Sequence, residues 1–178
     1  MRKRLMRWEI AGFLFVNALG TLLHFAYCWS GQSVIMAAFA AVNESTWEHM
    51  KILFMPYFVF TMVQFTVFAE PFRNFFACKA AGALAGLVTI PLLFYTITGA
   101  IGPAPDWVNI IIFIFSAAAM YTASCFLLTG GALRGTCQQI TGFAVLWILL
   151  FLFVYFTYRT PQFPIFCDPI TGGYGIGH

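Results

Sequence analysis

Five long apolar runs constrain this chain more than any other feature of its sequence. They cover residues 8–29, 52–69, 76–101, 107–129 and 138–158. Crossing the hydrocarbon core of a bilayer takes about 20 helical residues, and each run is close to or above that length. Only 8% of the residues are charged, whereas soluble domains carry roughly 25%. The sequence therefore predicts an all-α membrane protein, with residues 1–178 forming one domain of about five transmembrane helices.

Basic residues between the runs indicate how this bundle lies in the membrane. Placing the N-terminus in the cytoplasm leaves only Lys51 and Arg159 outside. The other seven lie inside, as the positive-inside rule requires: Arg2, Lys3, Arg4, Arg7, Arg73, Lys79 and Arg134. We therefore expect a cytoplasmic N-terminus and an extracytoplasmic C-terminus. Because these residues flank spans instead of forming one basic patch, no nucleic acid partner is expected.

Two shorter segments fall on the predicted extracytoplasmic side. Residues 33–42 are apolar but too short to cross, which predicts a short interfacial or re-entrant segment between helices 1 and 2, serving as a lid or simply filling space. The tail, residues 159–178, combines aromatic residues with turn formers, so we expect it to fold back on the bundle. Cys28 and Cys167 share this side, where a disulfide is chemically allowed.

Ionisable residues cluster near this edge of an otherwise uncharged sequence. Imidazole and carboxylate groups suit zinc, manganese or a related divalent metal, which makes His24, His49 and Asp168 the predicted metal ligands. Glu44 and Glu48 are candidate general bases, and Ser45 is a third candidate catalytic residue. The residues predicted to contact a substrate are Asn17, Thr21, Tyr27, Asn43, Gln64 and Tyr174.

A purely structural interpretation of the same residues stays open. Ser45 and Glu48 have the spacing of a capping box, in which both side chains satisfy free amides at a helix start. Adjacent helical positions diverge by about 100°, so Glu48 and His49 cannot easily hold one ion together. The whole cluster could equally consist of buried hydrogen-bonded pairs that hold the outer loop and the tail against the bundle.

Three sequence blocks resemble a family of small bacterial multi-pass membrane proteins of unknown function. The blocks are HFxYxWSG at 24–31, VNESxWEHxK at 42–51 and DPxTGxYG at 168–175. This resemblance implies a bacterial cytoplasmic membrane protein and brings no established activity. A looser resemblance is to seven-span, metal-dependent lipid hydrolases of the ceramidase type, which combine Ser, Asp and His at one membrane face. This chain differs in having about five predicted spans and no paired histidines in its last helix.

These observations favour three functions. The first is a metal-assisted hydrolase or transferase acting on a lipid-like substrate. The second is a solute-binding or transport component with a small-molecule or lipid ligand, and the third is a structural or assembly factor. All three have the lipid bilayer as a partner, and the sequence favours no oligomeric state.

Overall fold

The computed structural model describes residues 2–68, 72–103 and 105–176. It contains six α-helices: α1 (Arg2–Trp29), α2 (Val34–Ala37), α3 (Thr46–Phe68), α4 (Phe75–Ile101), α5 (Asp106–Gly130) and α6 (Thr136–Tyr158). A single 3-10 turn follows at Pro164–Phe166. All but α2 are long and apolar enough to cross a membrane, and no strand occurs in the described ranges. The predicted all-α class with five long helices is confirmed.

Helix boundaries differ from the predicted spans because helices extend beyond the apolar runs. α1 begins at Arg2 and α3 at Thr46, about one to two turns before the predicted starts at residues 8 and 52. Arg, Lys, Glu and Trp are compatible with helical backbone, and long charged side chains can reach the interface from a helix end. The apolar pattern therefore predicts the membrane-embedded part of each helix and not the helix itself.

α3 lies at the centre and contacts each of the other four long helices. Around it, α1 contacts α5, α5 contacts α4, and α4 contacts α6. A close approach joins α4 to α5, where glycines replace side chains. A Cβ atom on Gly82 would lie 2.7 Å from the Met120 carbonyl oxygen, and one on Gly86 would lie 2.9 Å from that of Ser116. Small residues here let two membrane helices pack backbone to backbone.

The antiparallel helices give the bundle two distinct ends. The tail end contains the last turn of α1, the start of α3 and the chain after α6; the basic end contains Arg2, Arg73 and Arg134. At the tail end, α2 is a single turn, and the Tyr158 hydroxyl donates to the Val34 carbonyl at 2.6 Å. The Phe166 ring packs against Trp47 with centroids 4.7 Å apart. Both the segment after α1 and the tail thus lie over this end of the bundle.

Two basic residues that the sequence analysis counts as membrane-flanking charges are instead buried inside helices. Lys51 in α3 and Lys79 in α4 are both 0% exposed. Lys51 pairs with Glu48 at 2.6 Å, and Lys79 pairs with Glu9 at 2.7 Å. Counting them as membrane-flanking charges is therefore wrong. Of the remaining basic residues, six lie at the basic end and one at the tail end. The prediction of orientation still rests on this difference.

Candidate functional site

Three titratable side chains from three segments converge at the tail end. His24 lies near the end of α1, Glu44 in the loop before α3, and His49 in the first turn of α3. Glu44 Oε2 lies 3.4 Å from His24 Nε2 and 3.6 Å from His49 Nε2. The ligand atoms of all three lie within 4.8 Å of one another. We refer to His24, Glu44 and His49 as the His24 cluster.

Local hydrogen bonds fix the loop that carries Glu44. Asn43 Oδ1 accepts from the Ser45 backbone N–H at 3.0 Å, while Asn43 Nδ2 donates to the Gly175 carbonyl at 3.2 Å. The Ser45 hydroxyl oxygen then accepts from the Glu48 N–H at 3.4 Å, near the start of α3. A side-chain oxygen at this position satisfies one of the free amides of a helix N-terminus. The loop is thereby held between the tail and α3, with Glu44 beside both histidines.

The His49 ring is oriented in the way that metal ligands usually are. Its Nδ1 lies 3.0 Å from the Ser45 carbonyl oxygen. Because a carbonyl only accepts, Nδ1 carries the hydrogen, and in the neutral imidazole the lone pair is then on Nε2, which faces Glu44. Ligand histidines typically donate their second ring nitrogen to such an acceptor, which fixes both tautomer and orientation.

Glu44 is held in its ionised form. The neighbouring His24 imidazole, with Nε2 3.4 Å from Glu44 Oε2, is the main cause that lowers the pKa of the Glu44 carboxyl, and it outweighs the opposing contribution of partial burial. Positive charge on either imidazole acts in the same direction. At neutral pH the group is therefore a carboxylate, which is the form that accepts hydrogen bonds or binds a cation.

The two nitrogen–oxygen distances in the His24 cluster are compatible with ligands of a shared metal ion. Charge-assisted N–H···O contacts are about 2.7–2.9 Å long, whereas the two nitrogen–oxygen distances are 3.4 and 3.6 Å. Ligands bound at about 2.0–2.1 Å to a tetrahedral zinc ion stand roughly 3.3–3.4 Å apart. Three protein ligands with a fourth position open are typical of catalytic zinc, while structural sites are closed by four. These residues therefore have the composition and spacing to hold a divalent metal.

A cavity of about 420 Å³ adjoins the cluster between α1 and α5. Asn17 and Thr21 line it from α1, and Asp106 and Asn109 line it from α5. Most of the remaining wall is apolar. It includes Phe25 of α1, Ile52 of α3, and Ile110, Phe113 and Ile114 of α5. A chamber of this kind combines a few polar groups with surface suited to hydrocarbon.

The cavity wall also reaches the outer surface of the bundle. Phe25 is 47% exposed, Ile110 60% and Ile114 44%. Because these residues lie on membrane-spanning helices, the surface they expose faces acyl chains. The cavity is therefore accessible from the side of the bilayer, next to the His24 cluster.

Glu48 and Ser45, two of the predicted catalytic residues, are occupied by structural contacts. The Glu48 carboxylate binds Lys51 at 2.6 Å and the Val42 backbone N–H at 3.0 Å. The predicted capping box is only half formed, because Glu48 turns to Lys51 while Asn43 satisfies the Ser45 amide. The structural interpretation therefore accounts for Ser45 and Glu48, and not for the His24 cluster.

Asp168, the third predicted metal ligand, lies outside the His24 cluster. Its carboxylate accepts from the Ile170 N–H at 2.9 Å and from the Thr171 hydroxyl at 2.8 Å. Both contacts close the turn formed by Asp168-Pro169, so this side chain stabilises the tail. Cys167, its neighbour, carries a free thiol, as does Cys28. No disulfide joins them.

The predicted substrate-contacting residues divide into two groups. Asn17 and Thr21 line the cavity, while Asn43 binds the tail. Tyr27 is buried against α2, and Tyr174 lies opposite Cys167 in an isolated bridge. Gln64 is remote from the cavity, since its amide donates to Glu9 Oε1 at 2.9 Å near the basic end. The sequence groups these residues only by their polarity, and their different positions along the helices, in the loop and in the tail separate them.

Asp106 and Asn109 are cavity residues that the sequence interpretation does not single out. They begin the run that forms α5 and lie three positions apart, which places them on one helix face. Two polar residues at this spacing, at the edge of an apolar span, were the signal available. The Glu9–Lys79 pair was also signalled, because each charge lies inside a predicted apolar run.

Comparisons with known proteins identify a family without assigning an activity. No curated protein and no solved structure matches the chain. A family model described as a family of unknown function (DUF6512) matches residues 1–176. The match extends over nearly the whole chain, in agreement with the resemblance carried by the three sequence blocks. The chain therefore belongs to this family, DUF6512.

Proposed function

We propose that the chain is a metal-dependent membrane enzyme that hydrolyses a lipid-like substrate, or transfers a group from it. The observation that carries this proposal is the convergence of His24, Glu44 and His49, with ligand atoms within 4.8 Å, beside a largely apolar cavity. A divalent ion held by these residues would supply Lewis acidity for activating a water and polarising a carbonyl oxygen. Hydrolysis adds the hydroxyl of one water to the acyl carbon and its proton to the leaving group.

Each residue around the cavity has a role in this scheme. The His24 cluster holds the ion, with the His49 tautomer set by the Ser45 carbonyl. Asp106 is a further carboxylate in the cavity, and it fits the transfer of a proton to or from the reacting group. Asn17 and Asn109 offer amides for a polar headgroup. Glu48 and Ser45 receive no catalytic role, because the contacts described above engage both.

The charge of the cavity favours one class of headgroup. Glu44 and Asp106 contribute carboxylates to the wall, and no lysine or arginine of the described residues lines it. Glu44 and Asp106 together offset the two positive charges of a divalent ion on the His24 cluster, so the cavity would keep no excess positive charge to attract a phosphate headgroup. We therefore assign an uncharged or cationic amphiphile, with its chain against Ile110 and Ile114, as the substrate class.

Binding of a lipid or solute without turnover is the second candidate function. The predominantly apolar wall and the exposure of Ile110 to the acyl region support it. A ligand that raises the melting temperature and is recovered unchanged would favour binding. Recovery of cleaved ligand would favour the enzyme.

The six-to-one distribution of basic residues supports the location of the site. With the basic end in the cytoplasm, the His24 cluster lies at the extracytoplasmic face. We propose that the protein resides in a bacterial cytoplasmic membrane in this orientation. Labelling of the exposed Cys28 thiol by an impermeant reagent in intact cells tests it, and protection of Cys28 unless the membrane is opened would contradict it.

Elemental analysis of the purified chain tests the metal site. The protein should be purified through a tag without histidine and compared with His24→Ala, His49→Ala and, as control, His178→Ala. We expect about one zinc, manganese or iron ion per chain in the wild type and the control, and less than about a tenth of that in the two cluster variants. Folded wild-type protein that takes up no divalent ion, even after reconstitution, would refute the proposal.

Activity is tested separately on holoprotein in nanodiscs. Membrane lipid extracts should be incubated with metal-loaded and chelator-treated protein, and the products compared by mass spectrometry. We expect cleavage of an uncharged or cationic lipid by the loaded form alone. Metal-loaded protein that changes no lipid would leave binding without turnover as the function.

A further inference from the structure

Three arginines from separate segments line one cavity at the basic end. Arg2 begins α1, Arg73 precedes α4, and Arg134 lies in the loop between α5 and α6. The cavity has a volume of about 380 Å³. Leu5, Phe72 and Leu128 form much of its remaining wall. It is therefore a cationic concavity with an apolar side, at the opposite end of the bundle from the His24 cluster.

A buried asparagine joins the two chain segments that carry Arg73 and Arg134. Asn74 Nδ2 donates to the Leu127 carbonyl at 3.0 Å and to the Ala132 carbonyl at 2.8 Å. These bonds tie the start of α4 to the loop between α5 and α6. Arg73 directly precedes Asn74, and Arg134 is two residues beyond Ala132. The two segments that carry these arginines are thus held together by buried hydrogen bonds.

The loop backbone around Arg134 adopts an unusual conformation. Leu133 has φ of +59°, which is uncommon for a residue with a side chain. Its carbonyl accepts from Gln139 Nε2, which fixes this conformation from within α6. Gly131 has φ of +71°, and a Cβ there would lie 2.5 Å from Arg134 Nη2. The guanidinium therefore rests against a position kept free of any side chain.

The charges in this cavity suit an anionic partner. None of the ion pairs among the described residues includes an arginine; Glu70, the acidic residue nearest to Arg73 in sequence, lies outside the described ranges. Three like charges in one concavity repel one another, and an anion between them relieves the repulsion. Guanidinium groups match phosphate oxygens with paired, parallel hydrogen bonds. The leucine and phenylalanine wall adds a surface for hydrocarbon.

We infer that Arg2, Arg73 and Arg134 form a binding site for an anionic phosphate group, carried by a membrane lipid or present as free phosphate. Basic pockets between membrane helices are established sites for anionic headgroups. This site is separate from the His24 cluster, whose cavity carries carboxylates. Its success or failure is therefore independent of the proposed enzyme.

Native mass spectrometry of the full chain in a neutral detergent tests this inference. Phosphatidylglycerol, phosphatidylcholine and inorganic phosphate should be titrated in separate arms. We expect retention of phosphatidylglycerol over phosphatidylcholine. Retention that millimolar inorganic phosphate does not displace identifies the lipid as the source, and displacement identifies free phosphate. Equal retention of the two lipids, with no phosphate adduct, would overturn the inference.

Two double variants that remove the same charge distinguish binding in this cavity from nonspecific attraction to the basic end. Arg73→Gln/Arg134→Gln should weaken retention at least about tenfold, because two guanidinium contacts are lost. The control Lys3→Gln/Arg7→Gln removes the same charge from the same end, at exposed positions outside the cavity wall, and should change retention less than about twofold. Equal losses in both variants would contradict a built site.

A charge-preserving variant keeps the test decisive if the double variant folds poorly. Arg134→Lys retains the positive charge and loses the paired hydrogen bonds of the guanidinium. We expect several-fold weaker retention. Unchanged retention in folded Arg134→Lys protein would contradict recognition by guanidinium geometry.

Discussion

Replacing Lys51 by methionine tests whether the buried Glu48–Lys51 ion pair stabilises the fold and has no part in the His24 cluster. Lys51 is 0% exposed, and its ammonium group has three partners. It binds Glu48 at 2.6 Å, the Ala37 carbonyl at 2.9 Å and the Thr157 hydroxyl at 2.8 Å. An ammonium has three protons, so every donor is satisfied. These contacts join α3 to α2 and α6 at the tail end.

The magnitude follows from what the substitution leaves behind. Lys51→Met leaves the Glu48 carboxylate 4% exposed without its counter-charge. Removing one partner of a buried ion pair costs about 3–5 kcal/mol, and we expect the free energy of unfolding to fall by that amount. Glu48→Gln/Lys51→Met removes both charges and should be at least about 1 kcal/mol more stable than the sum of the single losses predicts.

Reversible unfolding in mixed detergent micelles, followed by circular dichroism, measures all four members of this cycle. Metal content of the folded Lys51→Met protein should equal that of the wild type, because Glu48 does not belong to the His24 cluster. Additive losses, or a loss below about 1 kcal/mol for Lys51→Met, would refute the buried pair. Loss of metal with unchanged stability would show that Glu48 belongs to the functional site.

Three further predictions concern other parts of the bundle. Gly82→Ala should lower the free energy of unfolding by about 1–3 kcal/mol, since the new Cβ meets the Met120 carbonyl; unchanged denaturation curves would contradict the close α4–α5 approach. Tyr121→Phe should leave the midpoint of denaturation unchanged or raise it, because the buried hydroxyl has no partner in the described ranges; a clear decrease would reveal a missing contact. In metal-free protein, the lowered pKa of Glu44 means that its contribution to stability is present above its ordinary pKa of 4.5 and disappears as the pH falls through its folded-state pKa. Glu44→Gln should therefore reduce the fall in melting temperature between neutral and acidic pH, and an unchanged fall would refute the lowered pKa of Glu44.

The membrane-spanning architecture could be predicted from the sequence because apolar length is a local property. Runs such as residues 76–101 need only be counted against bilayer thickness. Helix ends could not be predicted in the same way, since Arg2 and Thr46 continue helices beyond the apolar windows. Backbone helicity and membrane immersion are separate properties, and hydropathy reports the second.

The polar contacts were predictable only in part. His24, Glu44 and His49 meet as the sequence cluster suggests. Glu44 and not Glu48 belongs to the His24 cluster, because Glu48 pairs with Lys51 of α3. A lysine three residues after a glutamate carries no sign of being buried, since burial depends on α2 and α6 packing over it. The Glu9–Lys79 pair differs in this respect, because both charges lie inside predicted apolar runs, although the sequence does not show that they join α1 to α4 across the bundle.

Metal K-edge X-ray absorption on the purified protein tests the central claim most directly. If His24, Glu44 and His49 hold the ion, the spectrum will show imidazole scattering from two histidines and nitrogen or oxygen neighbours at about 2.0–2.2 Å. His178→Ala should leave this spectrum unchanged, and His49→Ala should remove one imidazole. A bound ion without imidazole scattering, or scattering that survives loss of both His24 and His49, would contradict the account.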